Sequence, residues 1–153
     1  MANRGPLAVV DANVVASGVV FPVSVPGRVL QAWQAQRFVL LSSAGVASEI
    51  SGVLHRPHIR ARHTLNDEQL VRLLNSLREN RVHPLPFDDL PVHCRDPKDD
   101  VVLACALAGN AAFIVTGDAD LLALNGDPAL GDLRIVTPRT FLEMLDADDT
   151  PSL

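Results

Sequence analysis

Residues 7–10 form an unbroken apolar run, LAVV, that stops at Asp11, the pattern of a short strand buried on both faces. Similar runs at 38–41, 113–116 and 133–136 predict three more strands. Between them the period becomes helical. Residues 28–37 read as a helix, and Val46, Ile50, Val53 and Leu54 recur at helical spacing behind a capping Ser42 or Ser43 until Pro57 stops the run. A more amphipathic helix starts at Asn66, where Gln69 completes a capping box, and turns Leu70, Leu73, Leu74 and Leu77 inward. The proline-rich, acidic stretch 84–97 is a surface connection. Asp96 caps the next helix, whose first position is Pro97, where a missing N–H costs nothing. That helix is apolar on nearly every side through 101–108, so it belongs at the centre of the fold. Short helices over 120–125 and 138–145 complete the pattern.

Short apolar strands alternating with helices predict an α/β fold, a three-layer α/β/α sandwich around a central parallel sheet. One domain over 1–146 is expected, followed by an acidic tail over 147–153. In such sheets ligands bind at the carboxyl ends of the strands, where Asp11 and Asp118 fall. The chain has 153 residues and is 48% hydrophobic, enough for a core of its own. No apolar run reaches the roughly 18 residues that span a bilayer. Asp11 and Asn13 interrupt what would be the hydrophobic part of a signal peptide, so a cytoplasmic protein is expected. Two cysteines, Cys94 and Cys105, are too few for a disulfide framework.

Charge changes the picture through its distribution. The net charge of −5 argues against a generic nucleic-acid coat, yet Arg56, Arg60 and Arg62 gather in one short stretch, HRPHIRARH. Conversely, Asp11, Glu49, Asp100 and Asp118 all lie on or beside apolar segments, where an unpaired ionised carboxylate costs several kcal/mol. Each has an ordinary explanation by itself: a strand-end turn for Asp11 and Asp118, a solvated helix flank for Glu49. Asp96 reads as an N-cap and Asp99 as a favourable charge on the helix dipole. Asp100 heads the apolar face of Leu103, Ala104 and Leu107 and has no such excuse. Together the acids can form one pocket, which a hard divalent cation, Mg²⁺ or Mn²⁺, would neutralise. Zinc is not expected, because no CxxC or HExxH occurs.

The segments VVDANVV, ASEISGVLHRPHI, RDPKDDVVLACALAG and FIVTGDADLL resemble, in order and spacing, the four acidic motifs of PIN-domain nucleases. The nearest likeness is to VapC-like toxin components of toxin–antitoxin modules, over about residues 7–145. The resemblance implies a metal-dependent endoribonuclease with Asp11, Glu49, Asp100 and Asp118 as metal-binding acids and Asp120 as an additional one. It assigns Asn13 and Thr116 to orienting the first and last acids. Ala12 departs from the threonine many members carry, which removes a hydroxyl but no ligand. An RNA substrate, a cognate antitoxin and a homodimer are the partners it implies. Since an acidic pocket repels a phosphate backbone, Arg56, Arg60 and Arg62 are the candidates for holding RNA.

Two other classes compete. A phospho-acceptor signalling domain also places aspartates at strand ends, but it is expected to carry a strand-end lysine, and Lys98 is the only lysine here. A catalytically inactive PIN fold that binds RNA or protein would be expected to have lost one of the four matched acids.

Overall fold

The computed structural model describes residues 5–149. Four parallel strands, β1 (Leu7–Val10), β2 (Val39–Leu40), β3 (Phe113–Val115) and β4 (Arg134–Val136), form one sheet in the order β2-β1-β3-β4. Every residue of 8–10 and 113–115 is buried, as expected of strands with helices on both faces. Val10 pairs with Val115 and Val115 with Val136, so the carboxyl ends of β1, β3 and β4 finish level. That register brings Asp11 and Thr116, the next residues along, into hydrogen-bonding range.

Among the described residues eight α-helices surround the sheet: α1 (Ala12–Val20), α2 (Val25–Gln34), α3 (Ala44–Leu54), α4 (Pro57–Arg60), α5 (Asp67–Ser76), α6 (Asp100–Ala108), α7 (Ala119–Leu122) and α8 (Pro138–Asp149). α6 packs on β1 and β3, and α8 packs on β3 and α2. Phe141 of α8 is fully buried and stands edge-on to Phe38 and Phe113, with ring centroids 4.9 and 5.3 Å away. The capping box at Asn66 and Gln69 forms as the sequence implies, with reciprocal bonds of 2.8 and 2.9 Å. Ser43, rather than Ser42, caps α3 by accepting from the Val46 amide. The buried Ser42 hydroxyl instead donates to the Leu77 carbonyl and ties the end of β2 to the end of α5.

α1 and α4 have no counterpart in the hydrophobic pattern, and α2 starts three residues before the expected helix. Of the acidic tail expected from 147 onward, 147–149 continue α8, and 150–153 lie outside the described residues. Among the described residues no single helix is long and apolar enough to cross a membrane.

Candidate active site

The level strand ends are the foundation of the site. The Asp11 amide donates to the Val115 carbonyl at 2.9 Å, and the Thr116 amide donates to the Val136 carbonyl at 2.9 Å. Asp11 is 5% exposed. The buried Thr116 hydroxyl donates to Asp11 Oδ2 at 2.7 Å and accepts from the Asp118 amide at 3.0 Å. One hydroxyl therefore fixes the first acid and the backbone of the fourth. Asp118 in turn caps α7, its Oδ1 accepting from the Asp120 and Leu121 amides. Asn13 is exposed, and its contribution to Asp11 comes from its backbone N–H.

Asp99, Asp118 and Asp120 converge, each offering a carboxylate oxygen within 4.8 Å of the others. Asp99 Oδ2 is enclosed and has no hydrogen-bond partner. Burial pushes the Asp99 carboxyl up to about 7, helped by the negative charges of Asp118, Asp11 and Asp96. Burial raises Asp11 too. The Thr116 hydroxyl and the amides of Ala12 and Asn13 oppose that rise, and Asp118 adds to it. Glu49, half-buried on α3, is raised by burial and by Asp11, while Arg56 and Lys98 pull it down. The mutual repulsion ties Asp11, Glu49, Asp99 and Asp118 into one electrostatic unit.

Asp100, expected among the metal-binding acids, makes contacts of a different kind. Its Oδ1 accepts from the buried Cys94 amide at 2.8 Å, and its Oδ2 lies 3.0 Å from Nδ1 of His93. Burial alone would raise this carboxyl. The Cys94 amide and His93 outweigh that and hold it below the ordinary carboxylate value. Both oxygens are thus committed to anchoring the loop before α6. Asp99 takes the inward place because residues 97–99 form a 3₁₀ turn and the α-helix begins only at Asp100. A single helical projection from Pro97 onward misplaces the carboxylates by that turn. Asp96-Pro97 marks where the turn starts, but a cap of this kind precedes 3₁₀ and α turns alike.

The basic stretch divides. Arg56 acts on Glu49, whereas Arg60 lies 3.9 Å from Asp67 with both side chains exposed, and Arg62 is exposed. Lys98, which the sequence reading gave no place in the site, stands near Glu49 as well. Both cysteines are buried thiols, Cys94 pushed up to about 12 and Cys105 to about 11 by burial, so neither serves as a nucleophile near neutral pH.

Comparison with known proteins adds two findings. A family model described as PIN domain matches residues 8–120. An uncharacterized protein of Methanocaldococcus jannaschii is 27% identical over 140 residues, covering 88% of each chain.

Proposed function

The chain belongs to the PIN-domain family, whose fold is of nuclease type, and on that premise we propose that it is a divalent-cation-dependent endoribonuclease. The observation that carries this reading is the convergence of Asp99, Asp118 and Asp120, in which the enclosed Asp99 Oδ2 meets no donor and only a proton shared with Asp118 relieves the repulsion in the absence of a cation. An orphaned polar atom in an all-oxygen donor set fits a hard cation, which prefers carboxylate oxygens. Asp99, Asp118 and Asp120, whose oxygens converge, would hold Mg²⁺ or Mn²⁺, with Asp11 beside them and Glu49 contributing at the rim. The bound ion would supply a water activated near neutral pH and offset charge on the scissile phosphate.

The chain's own residues do the rest. Thr116 fixes Asp11 and the Asp118 backbone in one arrangement, so the acids are set before any ligand arrives. Asp100 clamps the Cys94 amide and His93, which holds the 3₁₀ turn and keeps Asp99 directed inward. Arg56 and Lys98 offer the positive charge that the pocket lacks. External water as the nucleophile leaves the RNA 2′-OH unused, so products carry 5′-phosphate and 3′-OH ends.

We further propose a toxin role with a cognate antitoxin and a homodimer in the cytoplasm, on the likeness to VapC-like proteins. The exposed Phe21 and Val23, between α1 and α2, supply apolar surface for a partner. The test is incubation of purified protein with structured RNA in Mn²⁺ and then in EDTA, with end-group analysis of the products. Cleavage in Mn²⁺ alone, with 5′-phosphate ends and loss in Asp11→Asn, supports the reading. Cyclic-phosphate ends, or an Asp11→Asn variant as active as the parent, contradict it.

A further inference from the structure

Gly45, Glu49, Gly52 and Arg56 are spaced four, three and four apart, which places them on one stripe along α3 and just past its end. A Cβ on Gly45 would lie 2.9 Å from Val101 Cγ1, so the start of this stripe is closed against the first turn of α6. Lys98, three residues before Val101, lies in the 3₁₀ turn that leads into this contact. Further along, a Cβ on Gly52 would meet nothing within 4 Å. The interval from Glu49 to Arg56, about 10 Å of helix, is open to solvent at Gly52, with Arg56 at its far end. Arg56 and Lys98 are both exposed, and among the described residues neither is in an ion pair. Asp96, an acid that also acts on Glu49, is turned to cap the Lys98 amide at 3.0 Å.

Resting on the nuclease reading above, we propose that the RNA strand leaves the acid pocket along this face of α3, over Gly52, with its phosphates held by Arg56 and Lys98. An open track with no side chain at its midpoint suits a backbone that must approach closely, and two unpaired cations suit a polyanion that the pocket itself repels. Arg60 and Arg62 lie beyond the track, on and after α4.

The experiment measures binding of a labelled single-stranded RNA in EDTA across a range of salt concentrations, with cleavage of the same RNA by the parent in Mn²⁺ followed separately. Arg56→Ala and Lys98→Ala each lower the slope of log K against log[salt] by about 0.7. Gly52→Glu weakens binding at every salt concentration while its melting temperature stays at or above the parent's, since the site has room and glutamate is the better helix former. Arg139→Ala, on α8, leaves the slope unchanged. Parental slopes in Arg56→Ala and Lys98→Ala, or parental affinity in Gly52→Glu, overturn the track. If the parent nevertheless cleaves RNA in Mn²⁺, the nuclease reading stands without it. A parent that neither binds nor cleaves RNA overturns both.

Discussion

Two adjacent aspartates with opposite electrostatic fates define this site. Asp99 sits among like charges with one oxygen orphaned, whereas Asp100 has both oxygens occupied. Their substitutions should therefore separate. Between the ordinary aspartate value of 3.8 and about 7, the native state holds a proton on Asp99 that the unfolded chain has released. Stability of the cation-free protein should therefore fall as pH rises through that window, with Asp11 and Glu49 acting in the same direction. Asp99→Asn removes the Asp99 contribution, so its melting temperature at pH 7 should exceed the parent's by a few degrees in EDTA and show a flatter pH profile. Asp100→Ala should do the reverse, costing about 1–3 kcal/mol in denaturant unfolding because the buried Cys94 amide loses its acceptor. From sequence, Asp11 and Asp118 were legible as strand-end acids, since each ends or follows an apolar run. The choice between Asp99 and Asp100 was not, because it turns on one 3₁₀ turn that hydrophobic periodicity does not register.

Among the elements, legibility followed how one-sided each was. β1 matched its apolar run residue for residue, and α5 was readable from its capping box and leucine stripe. α1 was not. Its sequence, ANVVASGVV, has only Asn13 and Ser17 as an exposed polar edge and is rich in β-branched valine, a composition that by itself favours strand. It is helical because the fold encloses it: Val14, Val15 and Val19 are buried, and α1 packs against α2 and α3. Gly18 permits that packing, since a Cβ there would lie 2.8 Å from both the Pro26 carbonyl oxygen and Leu30 Cδ1. The carbonyl is backbone and cannot swing aside. Gly18→Ala should therefore destabilise the protein by about 1–3 kcal/mol despite alanine's better helix propensity, as thermal unfolding would register. α1 also begins directly after Asp11, so loosening α1 against α2 should weaken divalent-cation binding along with stability.

For the whole molecule, the difficulty is a net charge of −5 on a protein assigned a polyanionic substrate. Sheet register concentrates the acids at one end of the strands, and the fold gains by neutralising them there. A cation that binds only the native state adds about 2.7 kcal/mol at one hundred times its dissociation constant. The rise in melting temperature on adding Mn²⁺ should be larger at pH 7.5 than at pH 5, because the raised carboxyls must release their protons to bind it. The three-layer architecture was legible in the sequence from strand and helix alternation, while the influence of Lys98 on Glu49 emerged only once α3 and α6 were packed together. The central claim, a cation-dependent nuclease centre built on Asp99, Asp118 and Asp120 beside Asp11, is tested most directly by Mn²⁺-dependent cleavage of one labelled RNA by the parent, Asp99→Asn and Asp100→Asn in parallel. Cleavage should be abolished by EDTA, reduced on the order of a hundredfold or more in Asp99→Asn, and reduced far less in Asp100→Asn, whose side-chain oxygen still accepts from the Cys94 amide. Cleavage that survives EDTA, or an Asp99→Asn variant as active as the parent, would contradict it.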